Sequence, residues 1–291
     1  MNILTELFPD LATFAEYASG VDPNYSLDDL QSSGRTAKKR VVGIISASVY
    51  HAIIESDNTE LLDALRSAVA SLTLQLQLVF DTINRRKSDI DLYKYEVEQM
   101  QRAYLESYFN AMDTLISTLT AIIPEQGDTT SAAALWRQTR YFSLMDACKI
   151  ETAEAFDIIY PIDCSYLFFF RTLPLQKETL DERLSAYYDK EPSDRVLTML
   201  NLALAKKTIA KALRRFDILE FPDTIRNLFD DNTASRSGKD EHDGALSLAD
   251  RLDAEAEELL SQVDMLTDET TTDYTSMSAY NQADDIIVMT P

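Results

Sequence analysis

From Tyr93 to Ile123 the chain carries Val97, Met100, Tyr104, Phe109, Met112, Leu115, Leu119 and Ile122 at helical spacing, with no glycine before Pro124 closes the run. A run of that length and period specifies one long amphipathic helix, and its apolar stripe must be covered by other helices. We expect it to be the central helix of the body. The same spacing recurs elsewhere. Thr36 begins a helix through Val41, Ile44, Ile45, Val49 and Ile53, and Asn58-Thr59-Glu60 opens one through Leu65, Val69, Leu72, Leu76 and Phe80 to about Asn84. Pro192 and Ser193 introduce a last body helix, apolar at Val196, Leu200, Leu204, Ile209, Leu213 and Phe216. Six glycines in 291 residues leave few places for positive-φ turns. The expected fold class is therefore all-α: a helical-bundle body over residues 1–230 and an extended acidic arm over 231–291.

Two local readings are less direct. Leu72-Thr73-Leu74-Gln75-Leu76-Gln77-Leu78 alternates with the period of a strand, but no turn residue separates it from the Ala/Leu run before it, and helix is favoured. Pro9 suits a first helical position and Gly20 a stop. Asp163 or Ser165 is positioned to cap the helix carrying Tyr166-Leu167-Phe168-Phe169-Phe170, a cluster read first as a core anchor and second as a subunit contact.

After Phe229 the composition changes. Residues 231–291 hold fifteen Asp/Glu against three Lys/Arg, a net of −12 out of the chain's −22. Within this arm Ala245, Leu248, Leu252, Leu259, Val263 and Leu266 recur at helical spacing, with Asp253, Glu255, Glu257 and Glu258 on the other side. A lone helix cannot keep such a stripe dry, so Leu248, Leu252, Leu259, Val263 and Leu266 are candidate partner-docking residues, and the arm is expected to order only on a partner. Ile286, Ile287 and Val288 form a second candidate docking patch near the end of the arm.

Basic residues gather in three places: Lys38-Lys39-Arg40, Arg85-Arg86-Lys87, and the group from Lys206 and Lys207 through Lys211 to Arg214 and Arg215. All three are candidate contact patches. Those at the end of the last body helix also suit its dipole, and any of them can equally be a solvated helix end. A net charge of −22 argues against a protein that grips free nucleic acid.

Catalytic signals are sparse. His51 lies within an apolar helix, where a partly buried structural role is expected, and His242 lies in the acidic arm. The short phosphate-binding, dinucleotide-binding, serine-hydrolase and zinc-protease motifs are absent from the sequence. Cys148 and Cys164 lack paired metal-site spacing and are read as reduced thiols. No metal, cofactor or catalytic residue is expected. The start of the chain lacks a secretory pattern, and no apolar stretch approaches the length of a membrane span, so a cytoplasmic setting is expected.

Several blocks together resemble a known group. Asn58–Phe80, then Tyr93-Lys94-Tyr95-Glu96-Val97-Glu98-Gln99-Met100, Tyr104-Leu105-Glu106-Ser107-Tyr108 and Ala111–Leu119 are similar to a family encoded in phages and prophages of Bacteroidetes. Trp136, Tyr141-Phe142 to Ile150, Thr152-Ala153 with Phe156, and Ser165 with Phe169-Phe170-Arg171-Thr172-Leu173 follow in the same order. The similarity spans roughly residues 40–220. That family resembles head–tail connector (head-completion, portal-adaptor) proteins. The resemblance implies a virion neck protein made in the bacterial cytoplasm, assembled with itself into a ring, commonly twelve-fold, between the portal and neighbouring tail or neck proteins. DNA would at most pass through the channel, and no membrane would be involved. The long acidic arm departs from the simplest members. The alternative expectation is a cytoplasmic helical adaptor or regulatory protein with a disordered acidic tail, and an enzyme ranks third.

Overall fold

Helices packed on helices make up the computed structural model, which describes residues 3–86, 94–228 and 238–269. No strand occurs among the described residues, and Leu72–Leu78 is helical. Thr73 is buried there because its hydroxyl donates to the Val69 carbonyl at 2.6 Å, within the same helix.

The chain enters through a 3-10 turn, Ile3–Glu6, and α1 (Leu11–Tyr17). Asp10, and not Pro9, sets the start of α1, accepting from the Thr13 N–H at 2.8 Å. Gly20 ends the segment at φ +82°, a left-handed conformation beyond the reach of most side chains. Next come α2 (Gln31–Ile45) and α3 (Ala47–Ile54), where the sequence suggests one helix. The break falls at Ser46, φ 80°, whose backbone N–H closes α2 on the Val42 carbonyl and whose hydroxyl caps α3 at Val49. Periodicity carries through that break because the same apolar face continues on both sides.

Two long helices follow, α4 (Thr59–Arg86) and α5 (Lys94–Ala121), packed on one another. Asn58 caps α4 by accepting from the Leu61 N–H at 3.1 Å. Three short helices succeed them, α6 (Ala132–Arg137), α7 (Arg140–Met145) and α8 (Ala153–Ile159), capped by Ser131, Thr139 and Thr152. Ser165, one of the two anticipated caps, starts α9 (Tyr166–Thr179), which passes through a π-helical turn, Leu180–Leu184, into α10 (Ser185–Tyr188). The Phe cluster is core: Phe168, Phe169 and Phe170 are all buried, and Phe170 lies 5.1 Å from Trp136.

The last body helix is α11 (Asp194–Arg215), followed by a short α12 (Asp223–Arg226) and by α13 (Gly238–Glu269). Contrary to the expectation for α5, the helix that joins the two halves of the body is α9, which packs against both α5 and α11. Leu200, Ala203, Leu204, Ala205, Ile209, Ala210 and Ala212 are all fully buried, because α9 covers one side of α11 and α13 another. Buried residues are thereby spread around α11 with its cations between them, so its amphipathic signal is weak, whereas α5 advertises a single buried face.

The arm also differs from expectation. Leu248, Leu252 and Val263 of α13 are buried against the body of the same chain, and Leu259 and Leu266 are half-buried at its edge. The stripe that a lone helix could not cover is covered by α11. Among the described residues α13 thus packs on its own chain, where docking on a partner was expected. Ile286, Ile287 and Val288 lie outside the described residues.

Candidate assembly surfaces

Charge explains why α13 is held in register. Lys206 pairs with Glu255 at 2.7 Å, Lys207 with Glu257 at 2.6 Å, and Arg214 with Asp250 at 2.8 Å and Asp253 at 2.6 Å. On its other flank α11 meets the α9 side: Lys211 reaches Glu178 and Glu182 at 2.7 and 2.6 Å, and Arg215 grips both oxygens of Glu178. Arg183 joins Glu257 at 2.5 Å, closing the row. Arg215 and Lys211 hold the Glu178 carboxyl down at about 2. Lys207, Lys211 and Arg214 are therefore ties within one chain rather than an open contact patch: acids of the described arm pair with Lys207 and Arg214, and acids of the α9 side pair with Lys211.

The other basic groups divide. Lys38 lies over the Tyr50 ring and pairs with Glu6 at 2.5 Å, anchoring the chain entry to α2. Lys39 and Arg40 stand exposed on the opposite face of α2, joined there by Arg35. No ion pair to these three occurs among the described residues. Arg85 and Arg86 end α4, and Lys87 falls outside the described residues.

Two of the depressions among the described residues border α5. A cleft of about 370 Å³ lies between α5, α9 and α12, lined by Arg102, Phe109, Asp113, Asp163, Arg171 and Arg226 among others. Its charges are mostly tied to one another: Arg171 pairs with Glu220 and stacks over Phe216 at 4.8 Å, Arg226 pairs with Asp223, and Asp163 accepts from Thr224. Asp113 reaches from α5 to the start of α9, accepting from the Leu167 N–H at 2.7 Å and the Ser165 hydroxyl at 3.1 Å. Burial pushes its carboxyl up to about 6 despite those hydrogen bonds. The arrangement is a tie between two helices that closes the cleft wall.

The second depression is an open groove of about 1100 Å³ between α4 and α5. Its walls carry Ala64, Ser67 and Ser71 from α4 and Ala103, Ser107 and Ala111 from α5, and Tyr17 and Tyr104 also line it. Glu60 and Asp63 are the charged side chains along it. Sequence reasoning missed this groove; the signal was the run of small residues at helical spacing on both helices.

Neither histidine is placed for joint chemistry: His51 is exposed beside Tyr50 on α3, more open than expected, and His242 is exposed on α13. Cys148 is buried, its thiol pushed up to about 11, and Cys164 is exposed. Among the described residues no group of three or more His, Cys, Asp or Glu is arranged to hold a metal ion, and no helix is long and apolar enough to cross a membrane. No protein-family model, curated protein or solved structure matches the chain.

Proposed function

We propose that this chain is a head–tail connector of a phage virion, a structural protein that joins the portal to the tail as part of a ring of identical copies. The observation that carries the reading is how its surface is divided. The cations from Lys206 to Arg215 are paired within the chain, tying α13 and α9 to α11, while the α4/α5 groove and the basic face of α2 stay open. A rigid body with extended open faces suits permanent assembly, and the order of sequence blocks from residue 40 to 220 supplies the kind of assembly. In this role the protein acts in the virion neck after synthesis in the bacterial cytoplasm, and DNA passes through the ring without being gripped.

Mixing the purified chain with purified portal protein and following it by sedimentation and electron microscopy tests the proposal. A portal carrying an added ring is the expected result. A chain that never co-sediments with portal, in either presence or absence of DNA, would return the reading to a helical adaptor of another system.

A further inference from the structure

The two open faces match each other. The solvent face of α2 presents Arg35, Lys39 and Arg40, then Gly43, whose missing Cβ would meet nothing within 4 Å. A glycine in a helix interior with no crowding neighbour weakens the helix by roughly 0.5–1 kcal/mol against alanine, so the monomer gives no reason for it. Close approach of another backbone at that point would. The face from Arg35 to Gly43 is about 12 Å long, and the groove wall from Glu60 to Ser71 is about 17 Å, both at 1.5 Å per residue.

We infer that α2 of one copy docks its solvent face into the α4/α5 groove of a second copy, so that Arg35, Lys39 and Arg40 meet Glu60 and Asp63 and Gly43 lies against the groove's small-residue walls. Charge complementarity selects this occupant. The groove's charged side chains are acidic, while the α2 face is a basic cluster without an acidic partner among the described residues. Glu60 accepts only from the neutral Thr118 hydroxyl at 3.3 Å, while Asp63 accepts from Tyr17 at 2.7 Å and lies 3.9 Å from Arg66, so Glu60 is the main acidic contact the groove offers. A polyanion such as duplex DNA is the weaker occupant for α2, since the whole chain at −22 repels it. The contact joins two different patches, so it is head-to-tail, and it propagates into a ring or filament. This inference rests on the assembly reading above and names its surfaces.

Sedimentation velocity over a wide concentration range, on the full chain and three variants, tests it. The wild type should associate. Lys39→Glu with Arg40→Glu, and separately Glu60→Lys, should each weaken association by about tenfold or more. Mixing those two variants should restore it, because every contact in an alternating assembly then pairs opposite charges. Gly43→Gln should weaken association while raising the monomer's unfolding midpoint, opposite signs that a simple folding defect cannot produce. A chain that stays monomeric at all concentrations overturns the inference; so does association untouched by the charge reversals, a mixture no better than its components, or an α2 face whose reversal affects only DNA binding. The portal experiment separates the two claims. A monomer that still binds portal removes this contact alone, and an associating chain that ignores portal removes the connector assignment alone.

Discussion

Replacing Leu260 by alanine measures whether α13 is part of the body. Leu260 is fully buried, in line with Ala256, Leu252 and Val263, which are at most 2% exposed. Truncating such a side chain removes its transfer free energy and leaves a cavity, a loss of about 2–5 kcal/mol. For a body of this size each kcal/mol shifts the thermal midpoint by about 2–4 °C, so a fall of roughly 4–20 °C is expected. Met265 on the same helix is the internal control: it is 64% exposed, and Met265→Ala should change the midpoint by little. Circular dichroism melts of both variants, with amide hydrogen exchange across α13, make the comparison. Loss concentrated in α13 would mean that the helix opens before the rest, and the Leu260 variant would still stand apart in its protection. Equal midpoints and equal α13 protection in the two variants would refute the packing of α13 on α11 and reinstate an arm that waits for a partner.

Three further outcomes follow from the charges and thiols. Asp113 has a folded pKa, about 6, above its ordinary value of 3.8, so ionising it costs the folded state, and stability should fall as pH rises from about 4 to 6. Urea midpoints of Asp113→Asn should lose that slope; an unchanged slope would show that other groups cause it. Glu178 is shifted the opposite way, to about 2, so its ties to Lys211 and Arg215 contribute fully above about pH 4.5 and are lost as pH falls toward 2. Glu178→Gln should therefore be destabilised at pH 7, by up to about 1 kcal/mol for such partly exposed pairs, and the difference should vanish near pH 2. Native protein should expose one thiol to a disulfide reagent, Cys164, and a second only in denaturant; two reactive thiols in the native state would contradict the burial of Cys148.

Fold class and most helices were legible in the sequence, because period and caps are local: Asn58 and Ser165 sit where their side chains accept from the first turns of α4 and α9. Less legible was anything decided by what lies opposite. Ser46 breaks a helix without interrupting the apolar face, so no pattern marked it. Leu260 escaped the α13 stripe because Leu259 beside it fits the spacing equally well, and only the position of α11 decides which of the two is buried. The cations from Lys206 to Arg215 looked like a patch because their acidic partners lie 29–50 residues away along the chain. Conversely, the exposed Lys39 and Arg40 were anticipated as a patch, while the groove that complements them was not, since small residues on α4 and α5 carry no charge or motif.

The proposed connector role is tested most directly by electron microscopy of particles made when the gene for this chain is disrupted in a phage that carries it. DNA-packaged heads lacking tails, with tails formed separately, are the predicted result, and supplying the intact chain should join the two. Fully tailed, infectious particles from the disrupted phage would contradict the account at its centre.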